Sequence, residues 1–281
     1  MSRTAWAAIS LLLVAIAWGA AFVLMKDAIK LQPIYDFLAL RFTLATAVMV
    51  LIRPSVLKKI DRELLLRGVP LGIMLGLGYI TQTIGLELTT AAITGFITGL
   101  YVVATPLIAA LILKAKITRF TWGCVALATA GLALLSLRGW SLGFGEFLVF
   151  LCAIAFAAHI VTLGQWSNGL DVYALTIVQL ATCTLMTGTF SFVQGYDLPV
   201  NLSGWLVVFY TAIFSTALAF VVQTWSQAHM SATKVAVILT MEVVFAAIFA
   251  LAFGGESLTI KALFGGLMVL TAMFMIVLKE S

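Results

Sequence analysis

Charge is what this chain has least of. Only 10% of its 281 residues are Asp, Glu, Lys or Arg. A water-facing domain carries about 25%, so there is too little polar surface here to cover a soluble fold. Histidine is nearly absent. His159 and His229 are the two, too few for a Ser–His–Asp set or a His-rich metal site. The three cysteines (Cys124, Cys152 and Cys183) each lie inside an apolar run without CxxC spacing. They read as small buried hydrophobes and give no disulfide framework or thiolate cluster. There is no GxxxxGK(S/T) loop, so nucleotide-driven work has no support. The excess of 16 Lys and Arg over 11 Asp and Glu is not a nucleic-acid footprint. Those cations sit in short loops between apolar runs and form no patch. No cofactor and no metal are expected.

What is present is hydrophobicity, at 63% of residues. A helix needs about 20 residues to cross the hydrocarbon core. Apolar runs of that order recur at 5–25, 34–52, 67–86, 93–113, 120–137, 143–163, 172–192, 204–222, 233–254 and 260–278. The run from Ala5 to Met25 is longer than a signal-peptide core of about 7–15 residues, and it reads as the first span. Backbone in lipid must satisfy its own hydrogen bonds, so these runs are expected to be helices. The expected class is all-α integral membrane, with ten transmembrane helices.

Loop cations set the orientation. With the N-terminus in the cytoplasm, that side holds Arg3, Arg53, Lys58, Lys59, Arg62, Arg67, Lys114, Lys116, Arg119, Lys234 and Lys279. The other side holds Lys26, Lys30, Arg138 and Lys261. Both termini are therefore expected in the cytoplasm, with the chain multi-pass in a cell inner membrane.

An internal repeat is the most informative feature. Gln82–Ile97 reads QTIGLELTTAAITGFI, and 141 residues later Gln223–Ile238 reads QTWSQAHMSATKVAVI. Thr118 then falls on Thr259 and Tyr101 on Glu242. Upstream, at an offset of 138, Trp18 falls on Phe156 and Arg41 on Gln179. The expected organisation is two five-helix repeats, 1–142 and 143–281. An odd number of spans per half inverts the second repeat. Inverted repeats build alternating-access carriers, with the solute site at the seam near the midplane.

The repeat carries a family pattern. His229–Thr259, ending in Gly255-Glu256-Ser257-Leu258-Thr259, resembles the EamA type of the drug/metabolite transporter superfamily. Leu88–Thr118, with Pro106 inside, resembles its first-half counterpart. Glu242 is followed by Val243 where the family often has Glu-Pro, and the first-half helix ends in Lys114-Ala115 in place of Gly-Glu. The resemblance implies ten helices, cytoplasmic termini and export of small metabolites. The aromatic interior is similar to that of the YddG-like exporters of aromatic amino acids.

Several side chains are candidates for a solute cavity. On helix 4, Thr94, Thr98, Tyr101 and Thr105 share one stripe. They either face a cavity or, for the threonines, bond back to their own helix carbonyls. Trp18 lies mid-span, away from the interfacial belts, beside Phe22 and Met25 on one face. Tyr79, Gln82 and Thr83 follow Gly72 and Gly76, which read as close-packing points between helices. Trp166 reads as an interfacial anchor. Arg41, His159, Gln179 and Glu242 are polar residues in apolar spans and are expected to face the interior. Arg41 and Glu242 could pair and cancel. His159 is either a proton carrier or a neutral packing residue. Pro33, Pro106 and Gly254-Gly255 are hinges or plain helix ends.

These residues point to a secondary carrier exporting neutral or aromatic amino acids by alternating access. Its partners are the small solute, the bilayer and, as an optional coupling ion, protons; a monomer is the default. An exporter of hydrophobic or cationic drugs is the alternative, favoured by an uncancelled Glu242. An integral-membrane enzyme would need a polar cluster at one membrane face, and none is found.

Overall fold

The computed structural model describes residues 3–113, 118–138, 141–230, 235, 238–257 and 259–280. Lys114, Lys116 and Lys234, counted for orientation above, lie outside the described residues, as do the side chains of Arg3, Arg138 and Lys279. The first half contains α1 (Arg3–Ala28), α2 (Ile34–Ile52), a 3₁₀ turn (Pro54–Lys59), α3 (Arg62–Leu88), α4 (Ala91–Thr98), α5 (Tyr101–Leu113) and α6 (Arg119–Ser136). A two-residue antiparallel pairing, Leu137–Arg138 with Ser141–Leu142, leads into α7 (Phe144–Trp166). Then come α8 (Val172–Gln194), α9 (Leu202–Ala212), a π-helical turn (Ile213–Leu218), α10 (Ala219–Gln227), α11 (Met241–Ala252) and α12 (Ile260–Glu280).

Seven of these stretches are long and apolar enough to cross a membrane, α4–α5 and α9–α10 each counting as one. Shorter apolar helices at Trp122–Leu134, Met241–Ala252 and Ile260–Ala272 fall within the spans expected at 120–137, 233–254 and 260–278. The polarity is inside out relative to a soluble protein. Leu51 is 79% exposed and Phe192 86%, while Arg41, His159, Gln179, Gln223 and Glu242 are buried. That is the arrangement a lipid solvent selects, because tails accept apolar faces and reject unpaired polar groups.

Local sequence explains where the spans start, break and stop. Asp61 and Thr90 cap α3 and α4 by accepting from Leu64 N and Ile93 N. The span expected at 93–113 breaks after Thr98, where Leu100 N bonds Ile97 O and Val102 N bonds Gly99 O in tightened turns. Pro106 contributes, since it has no N–H to give the carbonyl four residues back. Gly255 sits in the left-handed region at φ +62° and turns the chain at the end of α11, so that Glu256 N reaches Ala250 O. At the opposite end of the molecule, Asp171 caps α8 through Tyr173 N and Ala174 N, both at 3.0 Å. It also meets Lys59 Nζ at 2.6 Å and Arg53 Nη2 at 3.8 Å. Trp166, read above as an anchor, is half-buried against a small cluster of Leu71, Leu163 and Leu175, and its carbonyl accepts from Arg67.

The helices pack in a pattern that survives exchange of the two halves. α2 lies against α8 and α6 against α12. In each of these pairs the two helices lie one of the sequence offsets, 138 or 141 residues, apart. The remaining large contacts come in exchanged pairs, such as α3 with α7 and α1 with α9–α10, or α1 with α11 and α7 with α4–α5. Small residues set the closest approach. A Cβ on Gly72 would stand 2.5 Å from Thr182 Cβ and 2.7 Å from Gln179 O, so α3 and α8 touch backbone to backbone.

Two outcomes follow for stability. Gly72→Ala should cost roughly 1–3 kcal/mol through overpacking, seen as a lower Tm in detergent. Gly123→Ala, with nothing within 4 Å of its added methyl, should be neutral or gain up to about 1 kcal/mol. Partial burial pushes the Asp171 carboxyl up, but Lys59, the Ala174 amide and Arg53 outweigh it and hold it below its ordinary value. A depressed carboxylate stabilises the fold above its unfolded pKa of about 3.9 and loses that contribution as pH falls through the folded value. Asp171→Asn, which keeps the cap, should flatten the acid side of the Tm–pH curve.

Candidate functional site

Where these helices meet, they leave a central cavity walled by residues of both halves. Nine of the candidate residues line it: Trp18, Phe22, Met25, Arg41, Tyr79, Gln82, Tyr101, His159 and Glu242. Thr83, Thr94, Thr98, Thr105 and Gln179 do not. Thr94 bonds back to Thr90 O, as Thr105 does to Tyr101 O, so the hydroxyl stripe of helix 4 is largely spent on its own backbone. Thr98 stands behind the wall and accepts from Gln82 Nε2 at 3.2 Å. Gln179 also stands behind it, its Oε1 2.7 Å from His159 Nε2.

The wall is built from repeat mates. Trp18 and Phe156, Tyr79 and Phe220, Gln82 and Gln223, and Tyr101 and Glu242 all line it, each pair separated by one of the two repeat offsets. Phe156, Phe220 and Gln223 were not among the expected site residues. Their signal was available, because adding the repeat offset to Trp18, Tyr79 and Gln82 reaches them.

Arg41 is fully buried, and a turn of unusual geometry holds it. The π-helical turn between α9 and α10 presents Thr216 Oγ1 to Arg41 Nε at 2.7 Å and Ser215 O to Nη2 at 3.3 Å. Such wider turns re-aim backbone carbonyls and concentrate at functional sites. Ser215 O also accepts from Trp18 Nε1 at 2.8 Å. The remaining guanidinium contacts are Met25 Sδ at 3.2 Å, Tyr79 OH at 3.4 Å and the Tyr79 ring face at 4.7 Å. Every one of these partners is neutral. The expected Arg41–Glu242 ion pair is not formed within 4 Å among the described residues. Arg41 is instead satisfied by hydroxyl, carbonyl, sulfur and ring groups from α1, α3 and the π-turn. Glu242 Oε1, Gln223 Oε1 and Tyr101 OH are buried without a hydrogen-bond partner.

A second cleft lies near one end of the bundle, lined by Val23, Lys26, Asp27, Lys30, Thr90, Ala91, Gly254 and Glu256. Glu256 crosses from the second half to cap α4, accepting from Ala91 N at 2.6 Å and Ala92 N at 3.1 Å. This places a carboxylate on the positive end of a helix. Lys26 bonds Thr89 O and stands 3.7 Å from Glu256. Among the described residues, no group of three or more His, Cys, Asp or Glu could hold a metal ion.

Thr216→Val keeps the shape of the π-turn but takes away the acceptor of Arg41 Nε. It should cost roughly 1.5–3 kcal/mol, measured as a fall in Tm. Thr94→Val, which loses only a bond within its own helix, should fall by less.

Comparison with known proteins places this architecture. The model of the EamA-like transporter family matches residues 5–137 and again 143–278. An uncharacterized transporter of Archaeoglobus fulgidus is 33% identical over 276 residues, which cover 98% of this chain and 86% of that protein. A crystal structure described only as that of a protein superimposes with a TM-score of 0.73 at 17% identity, covering 99% of this chain and 98% of its own. That likeness speaks for the fold.

Proposed function

From its membership of the EamA-like transporter family, to which this chain belongs, we propose that this multi-pass membrane transporter is a secondary carrier exporting small metabolites, neutral and aromatic amino acids foremost. In this reading ten spans form two inverted repeats, 1–142 and 143–281, and rock about the central cavity to open it to either side in turn. The chain works as a monomer in a cell inner membrane with both termini in the cytoplasm. Protons are an optional coupling ion, with His159 and Glu242 as their candidates.

The observation that carries the reading is the cavity wall. It is made of matched residues from both halves, with Trp18, Phe22, Tyr79, Phe156 and Phe220 as rings, and Gln82, Tyr101, Gln223, Arg41 and Glu242 as polar groups. Rings give stacking surface, and a few convergent polar groups fix orientation. The packing pattern, unchanged when the halves are exchanged, supports a cycle in which each half in turn opens and closes one mouth. The aromatic lining supports kinship with the YddG-like exporters.

One observation favours a second reading, the export of hydrophobic cations: among the described residues Glu242 forms no ion pair. Arg41 argues against it, because a bare cation entering the same cavity would meet a fully buried positive charge.

The deciding measurement is uptake of labelled aromatic amino acids into proteoliposomes, with and without a pH gradient. Uptake above empty vesicles is expected, and Trp18→Ala and Tyr101→Ala should each reduce it at least about tenfold, the scale of one lost contact to a bound solute. Unchanged uptake in both variants would remove the cavity from the pathway. Unchanged uptake after collapse of the gradient would remove the proton roles of His159 and Glu242.

A further inference from the structure

Six buried side-chain oxygens have no hydrogen-bond partner among the described residues, and three of them line the central cavity. These are Glu242 Oε1, Gln223 Oε1 and Tyr101 OH, on residues 2–3% exposed. Buried polar groups are normally satisfied, so a cluster of exceptions in one cavity calls for a ligand. The Gln223 oxygen is a pure acceptor, the Glu242 carboxylate is one when ionised, and the Tyr101 hydroxyl accepts as well as donates. An ammonium group offers three N–H donors and no acceptor. The numbers and polarities match.

The repeat explains why the acceptors collect on this wall. In the first half, Gln82 gives its amide to the hydroxyl of Thr98. The residue 141 positions after Thr98 is Leu239, which has no hydroxyl. Gln223, the mate of Gln82, turns its Nε2 to Gln227 Oε1 at 3.2 Å, and Gln227 passes its own Nε2 to Ile160 O at 2.8 Å. The Gln223 carbonyl is left free. The two cavity charges are likewise each unmatched by their mates. Arg41 has Gln179 for its mate, and Glu242 has Tyr101. At matching offsets the halves thus differ twice, leaving one guanidinium and one carboxyl group in a single cavity, neither in an ion pair among the described residues.

We propose that Glu242, Gln223 and Tyr101 form an ammonium subsite and that Arg41 takes a carboxylate, so that the cavity selects primary α-amino acids as zwitterions over solutes carrying either charge alone. This rests on the carrier reading above and narrows it. A zwitterion supplies both missing counter-charges together. An amine or an acid alone supplies one and leaves the other charge buried and unpaired, which is the costly outcome.

The test is equilibrium binding to the purified full-length protein in lipid nanodiscs. The probes are tryptophan, tryptamine (no carboxylate) and indole-3-propionate (no amine), which share one ring. Wild type should bind tryptophan at least about tenfold more tightly than either analogue, the scale of one charge-assisted hydrogen bond. Glu242→Gln should weaken tryptophan and tryptamine about tenfold or more and leave indole-3-propionate unchanged. Tyr101→Phe removes a hydroxyl that bonds nothing in the empty protein, so its Tm should hold while the same two probes weaken. It keeps the proposal testable if a charge variant fails to fold. Arg41→Gln should weaken tryptophan and indole-3-propionate only. Equal binding of tryptophan and indole-3-propionate by wild type, or equal loss of all three probes in Glu242→Gln and Tyr101→Phe, overturns the subsite while leaving the carrier reading intact. No binding of any probe, together with no uptake of aromatic amino acids, overturns the amino-acid reading and the subsite with it.

Discussion

A guanidinium with lipid on every side of its protein cannot borrow water, so each of its partners must come from the fold. Arg41 imposes that condition on the centre of this molecule. A charge at this depth costs at least about 2.5–3.5 kcal/mol on insertion scales. The cost is offset by partners drawn from four places: Met25 on α1, Tyr79 on α3, Phe42 on α2 itself, and the π-turn at Ser215 and Thr216. Those contacts fix the relative positions of α1, α2, α3 and the second-half helix that carries the π-turn. Trp18 joins the same knot through Ser215 O. The cavity has a defined shape because this charge had to be satisfied.

The two halves share a pattern of helix packing, and positions at matching offsets that carry different residues set the cavity wall. Where α3 meets α8, Gly72 lets two backbones touch. Where the second-half counterpart of α3 meets α2, a π-turn takes the place of that contact and turns its carbonyl and hydroxyl towards Arg41. Similar substitutions set the rest of the wall: Leu239 where the first half has Thr98, and Glu242 where it has Tyr101.

Much of this was legible in the sequence, and the parts that were not share a cause. Apolar run length located the spans, and the interior positions of Trp18, Arg41, His159 and Glu242 followed from the high cost of polar groups in lipid. The threonine stripe was harder. Spacing shows that Thr94 and Thr105 share a face with Tyr101, but a helical hydroxyl can be satisfied by its own backbone, and periodicity does not register that choice. Gln179 was placed at the right depth but one layer too close, because the bond to His159 that holds it back joins two helices. The Arg41–Glu242 pairing failed for the same reason. Opposite charge is visible along the chain, whereas the neutral groups that hold Arg41 in place are brought together only by packing. The π-turn depends on that packing and leaves no mark in composition.

The carboxylate of Glu256 ties the two halves together at one end of the bundle by reaching from the second half onto the first turn of α4, with Lys26 beside it. Nothing in that clasp is apolar, and none of its members needs the other. Separated, the amides, the carboxylate and the ammonium would each regain water, which offsets much of what the contact contributes. A fastening of this kind sets where the two halves meet without setting how hard they hold. The resistance to parting them therefore resides in the greasy contacts deeper in.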